Sequence, residues 1–297
     1  MGFGITTILR FLSMLPLAVS RRLMGAVALA GWHLGSSGRH VTLTNLAHCR
    51  DDLDSAARRQ LGRESARQTA WLFAEQGAVW YWPRERWTDL IDDQHARPLL
   101  TSAMRDAVDV ESGDDHQGTL LLVPHLGNWE LLSLYLGEFG VTALYDPPRL
   151  MSLDAPIRSA RERSGSTLLP IDRSGLKGLL GALDNGGLVA LLPDQVPDPR
   201  SGVYVPFFGK PALTMTLAHR LIQRTRPTVL MGALLRTEQG FELSLTTLDE
   251  TVTDPHPAVS AGVMNAAIEK LIARAPSQYQ WSYKRFKRPQ AGSPKIY

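Results

Sequence analysis

Apolar and polar positions divide this chain into three stretches. Residues 3–34 are mostly apolar: Phe11 to Ser20 is apolar, Arg21-Arg22 interrupts, and Leu23 to Leu34 is apolar again. Asp54 to Trp82 reads as one long helix, capped by Asp54 or Ser55 and ended by Pro83. After a stretch of mixed polarity, with a helix expected around 97–110 and a loop over 112–117, short apolar runs alternate with helical segments to the end of the chain. The strands expected are Thr119–Val123, Val141–Tyr145, Thr167–Ile171, Leu188–Leu192, Thr228–Leu235 and Phe241–Leu248, the last two turning at Gly240. The helices between them are Trp129–Phe139, Ser152–Ser164, one capped by Ser174 and ending at Gly186-Gly187, Pro211–Arg224 and His256–Ala275. Strand–helix alternation predicts an α/β fold with a mixed, largely parallel central sheet flanked by helices, behind a helical N-terminal region.

The first stretch predicts a membrane-associating helix over 1–35, ahead of one large domain over 36–297. Neither apolar half reaches the roughly 18–20 residues that span a bilayer. A spanning helix would also bury Arg21 and Arg22 at about 2.5–3.5 kcal/mol each. A helix lying in the interface, its arginines reaching toward headgroups, costs less. The alternatives are a helix packed on the domain and a cleaved signal peptide, although Met14 to Ser20 lacks a small-x-small exit site.

Composition narrows the classes. The 297 residues are 44% hydrophobic, enough for a substantial core, and the formal net charge of +3 suits anionic phosphates, an acidic protein or an anionic lipid surface. That charge is too small to argue for nucleic acid. Cys49 is the one cysteine, so no intrachain disulfide and no cysteine metal cluster can form. The eight histidines are scattered, without H-E-x-x-H spacing, and no metal site is expected. G-x-S-x-G and G-x-G-x-x-G are absent, which disfavours a serine hydrolase and a dinucleotide fold.

Chemistry concentrates at His125-Leu126-Gly127-Asn128-Trp129-Glu130, a turn between an apolar strand and an apolar helix. Five positions on an unbroken helix leave side chains about 140° apart. His125 and Glu130 can therefore meet only if the histidine precedes the helix and the carboxylate lies in its first turn. Gly127 and Asn128 suit that turn, and the free N–H groups of a helix start favour nearby negative charge. A histidine oriented by an acid is a general base, and beside oxyanion-stabilising donors it suggests acyl transfer.

A second candidate is the loop from Pro193 to Arg200, leaving the carboxyl end of a buried strand, where open sheets bind ligands. Asp194 and Arg200 would grip polar groups, and the exposed-looking Phe207 and Phe208 would wall an apolar slot. The plainer reading is a rigid loop whose aromatics plug the core. The third candidate is Arg158, Arg161 and Arg163, suited to phosphate or carboxylate, or else a solvated helix face.

Taken together, these residues resemble the late acyltransferases of lipid A biosynthesis, within the wider His-x4-Asp/Glu glycerolipid acyltransferase group. His125-x4-Glu130 matches the signature. Asp194-Gln195, Pro199-Arg200 and Gly202 to Gly209 resemble a second block. Ala275-Pro276-x-Gln278-Tyr279-x-Trp281 with Arg285-Phe286-Lys287 resembles a third, and Asn45-Leu46 with the helix to Glu75 is similar to the N-terminal region. The similarity covers nearly the whole chain. It departs at Tyr145-Asp146-Pro147, where the family often has Tyr-Arg-Pro, and at Cys49-Arg50-Asp51-Asp52.

The resemblance implies a glycerol-3-phosphate acyltransferase-like fold and the His125/Glu130 signature pair. The mechanism expected here is direct transfer, with His125 or Glu130 taking the acceptor proton, Arg161 or Arg163 assisting at the oxyanion, and substrate contacts from Asn128, Asp194, Gln195, Arg200, Phe207 and Phe208. The expected donor is an acyl carrier protein thioester and the acceptor a hydroxyl of a lipid A precursor or related glycolipid. No cofactor is needed, and the expected place is the cytoplasmic face of a bacterial inner membrane. A hydrolase using the same dyad on water, and a membrane-surface lipid-binding protein, are the alternatives.

Overall fold

A computed structural model describes residues 2–106 and 118–297. The expected loop over 112–117 and the end of the helix around 97–110 lie outside the described residues. Four helices open the chain: α1 (Gly2–Met14), α2 (Leu17–His33), α3 (Ser37–Cys49) and α4 (Ser55–Tyr81). Asp54 caps α4, its carboxylate accepting from the N–H groups of Ala56 and Ala57 at 2.8 Å each. The short α5 (Arg84–Thr88), β1 (Ile91–Asp92) and α6 (Ala96–Asp106) lead to the sheet proper.

From there β2 (Thr119–Leu122), α7 (Trp129–Gly137), β3 (Thr142–Tyr145), α8 (Asp154–Glu162), β4 (Thr167–Pro170), α9 (Arg173–Asp184) and β5 (Leu188–Leu191) alternate. A hairpin of β6 (Gly202–Phe207) and β7 (Lys210–Met215) follows, then α10 (Leu217–Thr225), β8 (Thr228–Arg236), β9 (Phe241–Thr247) and α11 (Pro257–Arg274). The seven-stranded sheet runs β1-β9-β8-β2-β5-β3-β4. Strands β8, β2, β5, β3 and β4 are parallel, and β9 is antiparallel to β8. The α/β expectation therefore holds, with a mixed and mostly parallel sheet.

The apolar runs read as strands because both sheet faces are covered, so successive side chains enter different cores. Leu120 and Leu122 of β2 point into the layer with α9, α10 and α11, and Leu121 and Val123 into the layer with α4 and α7. All four are at most 3% exposed, and each such burial stabilises by about 1.5–3 kcal/mol.

Two expectations are corrected. Pro211–Arg224 is not one helix: residues up to Met215 are the second strand of a hairpin, and the helix begins at Leu217. The hairpin turns at Phe208-Gly209, both with positive φ (49° and 69°), the pairing of angles a two-residue reversal requires. The cap of α9 is Asp172, whose carboxylate accepts from the N–H groups of Ser174 (2.7 Å) and Gly175 (3.0 Å).

The N-terminal apolar stretch forms two helices broken at Pro16, and both pack on α4. Gly77 of α4 allows the approach: a Cβ there would lie 2.3 Å from the carbonyl oxygen of Leu9. Among the described residues no helix is long and apolar enough to cross a membrane. Arg21 does not reach outward as expected. Its guanidinium turns into the protein, over the rings of Trp71 and Phe241, and its Nε donates to Glu75 at 2.7 Å.

Candidate active site

Parallel pairing of β8, β2 and β5 brings their carboxyl ends to one edge of the sheet, and the loops leaving that edge build the site. After β2 the chain turns sharply at 125–128. Gly127 has φ 67°, and a Cβ there would meet the carbonyl oxygen of Leu234 at 2.1 Å, so the turn presses against β8 in a way only glycine permits. Asn128 then caps α7, accepting from the Leu131 N–H at 2.9 Å. His125 thus precedes the helix and Glu130 lies in its first turn, as the spacing demands.

The hydrogen bonds of His125 go to the loop after β5. Its Nδ1 is 2.8 Å from Asp194 Oδ1, its backbone N–H donates to Asp194 Oδ2 at 2.9 Å, and its Nε2 is 3.0 Å from the Gln195 amide nitrogen. A carboxylate accepts only, so Nδ1 carries the proton and Nε2 offers a lone pair, met here by the Gln195 N–H. Asp194 is 2% exposed. Burial alone would raise its carboxyl, but the His125 ring, the His125 N–H and the Arg285 guanidinium outweigh burial and hold it below the usual carboxylate range.

Glu130 faces another partner. Its two oxygens accept from Arg161 Nε (3.1 Å) and Nη2 (2.5 Å), a two-point grip that leaves Nη1 over. Burial opposes the charge on Arg161, yet the Glu130 carboxylate more than offsets it and raises the guanidinium above its ordinary value. Arg158 and Arg161 both lie over the Tyr145 ring, 5.4 and 5.5 Å from its centre, and the Tyr145 hydroxyl donates to Asp154 at 2.8 Å. The site therefore holds two acid–base pairs, His125–Asp194 and Arg161–Glu130, rather than one direct His125–Glu130 hydrogen bond.

The other candidates scatter. Arg163 donates to the carbonyls of Trp82 (2.8 Å) and Val79 (2.7 Å), which ties down the end of α4. Asn128 is fully buried, and its amide donates to Glu75 at 2.8 Å. Arg200 lies in solvent beside Asp198. Phe207, which looked exposed in sequence, is 1% exposed and packs among Tyr279, Phe286 and the Arg285 guanidinium. Phe208 is half-buried against Phe207 and Trp281.

Sequence reasoning missed Glu75, which is 2% exposed and binds Arg236, Arg21 and Asn128. The signal was present: Glu75 shares a helical face with Ala78, Val79 and Trp82, a carboxylate in an apolar stripe.

An imidazole oriented by an acid, its second nitrogen met by a neutral amide, thus stands at the carboxyl edge of a parallel sheet beside a helix start and a held guanidinium. The chain belongs to the bacterial lipid A biosynthesis acyltransferase family, whose profile matches residues 2–288. It is 29% identical over 261 residues to a lipid A biosynthesis lauroyltransferase of Escherichia coli (strain K12), covering 85% of this chain and 80% of the relative. To that organism's lipid A biosynthesis palmitoleoyltransferase it is 26% identical over 262 residues, 86% and 81% of the two chains. A lipid A biosynthesis acyltransferase of Haemophilus influenzae is 27% identical over 281 residues, 90% and 85% of the two.

Proposed function

We propose that this protein moves a fatty acyl chain from an acyl carrier protein thioester to a hydroxyl of a lipid A precursor or related glycolipid, with His125 as base. The observation that carries the reading is the His125–Asp194 contact at 2.8 Å, which leaves Nε2 as the proton acceptor. The acceptor hydroxyl displaces the Gln195 amide from Nε2 and gives up its proton there as its oxygen attacks the thioester carbonyl. The carbon–sulfur bond then breaks, and the departing thiolate takes the proton back from His125. Asp194 orients the ring and stabilises it while charged. Glu130 holds Arg161 so that its remaining N–H groups, with those of the α7 start, face the oxyanion.

Membrane contact at the cytoplasmic face of the inner membrane belongs to the same proposal. Val19, Leu23 and Val27 recur every fourth residue along α2 and are exposed, as are Phe11 and Met14 of α1. A groove of about 700 Å³ bordered by the end of α2 is lined by Arg39, Arg59, Arg63 and Arg67, the last paired with Glu64, and its excess of cations suits anionic headgroups. Residues 1–35 would thus seat the domain of 36–297 on the bilayer through two helices.

The test is incubation of the purified protein with labelled acyl carrier protein thioesters and candidate lipid A precursors, followed by product masses. Label on a lipid hydroxyl is the expected result. Label released as free fatty acid alone would overturn acyl transfer in favour of hydrolysis.

A further inference from the structure

The turn that presents His125 is anchored from behind by a carboxylate. Glu75, in the second half of α4, accepts at Oε1 from Arg21 Nε of α2 (2.7 Å) and at Oε2 from Asn128 Nδ2 (2.8 Å). Arg236, the last residue of β8, adds a two-point grip from Nε and Nη2 (2.8 and 2.6 Å). The Asn128 and Arg236 ties continue into the turn. The Asn128 N–H donates to the Leu234 carbonyl (2.8 Å), and the Gly127 N–H to the Gln278 carbonyl (3.2 Å). Gln278 also clasps the Arg236 backbone, its amide donating to the carbonyl at 2.9 Å and its oxygen accepting from the N–H at 2.8 Å. Three elements distant in sequence therefore meet at one acid, and its Asn128 partner lies three residues from the catalytic imidazole.

Packing alone does not call for this arrangement. Well-fitted apolar side chains usually stabilise such a position at least as well as a buried ion pair. What the charges add is direction. A carboxylate with bidentate and single donors around it fixes where each donor lies, Asn128 above all.

We propose that Glu75 is a positioning residue for acyl transfer. It sets the turn that aims His125, and through Arg21 it makes that setting depend on α2 being docked. The inference rests on the acyltransferase reading. It predicts an effect on turnover rather than on donor binding, because small displacements of a reacting group cost about 10²-fold in rate.

The experiment compares full-length wild type, Glu75→Gln and Arg21→Met in the transfer assay, with melting curves for each. A wild type that transfers nothing sinks the acyltransferase reading and is distinguished from failure of this inference by that result. With an active wild type, folded Glu75→Gln should lose about 10²-fold in kcat while KM for the thioester stays within about threefold. The pH midpoint of kcat should not move, since the His125–Asp194 contact is untouched. Arg21→Met keeps the Glu75–Arg236 pair, folds, and should lose about tenfold in kcat at unchanged KM. Wild-type kcat in either folded variant, or losses that merely follow the folded fraction, would overturn the proposal. If Glu75→Gln fails to fold, Arg21→Met alone decides on the same criterion.

Discussion

Two polar clusters flank the 125–128 turn, and both pair an acid with a nitrogen base. Around Glu75 both carboxylate oxygens are taken up by groups of the protein, Arg21, Arg236 and Asn128. Around His125 one ring nitrogen is fixed by Asp194 while the other is held by a neutral amide that a hydroxyl can replace. The difference between scaffold and chemistry is therefore one of unfinished valence. A buried acid–base pair becomes reactive where one of its lone pairs keeps a replaceable partner.

The largest effect expected from breaking this contrast is on the reactive side. His125→Ala should remove about 10²–10⁴-fold of kcat and leave the melting temperature near wild type, read by thioester turnover and calorimetry. Turnover that survives in the folded variant would move the base elsewhere. On the scaffold side, Glu75→Ala strands two guanidiniums and should cost about 3–5 kcal/mol in denaturant unfolding.

Asp194→Asn tests both sides at once. The folded carboxyl lies below its ordinary value, so its contribution to stability is complete above about pH 4 and is lost as pH falls below that. The variant should lose activity at every pH and should show a shallower acid limb in its stability profile than wild type. An unchanged acid limb would mean that Asp194 is not held ionised. The smallest effect is expected at Arg163, which binds the end of α4. Arg163→Met should cost about 1–3 kcal/mol of stability and change kcat little. A large kcat loss at full stability would return Arg163 to the oxyanion.

What the sequence disclosed follows the range of the interactions. The strand before His125 was legible because both faces are buried and the run is unbroken Leu-Leu-Leu-Val. The 125–128 turn was legible because Gly and Asn are local signals. His125, Asp194 and Gln195 could each be picked out, but their meeting could not, since it depends on β2 and β5 pairing 69 positions apart. The β6–β7 hairpin was hidden because its turn uses Phe208 at φ 49°, a conformation rare for such a residue, and Pro211 looked like a helix start. Arg21 misled because a charge in an apolar run suggests an outward reach, whereas its partner is contributed by another helix 54 residues on.

That pairing has a consequence for biogenesis. Until β2 and β5 lie side by side, the imidazole has no acid behind it, and the turn also leans on β8, which ends at Arg236. On the proposed role of His125, a chain emerging from the ribosome would stay inert until most of its length has been made and the sheet has closed, a slow, long-range event. Onset of the proposed transfer activity would then mark the completion of folding.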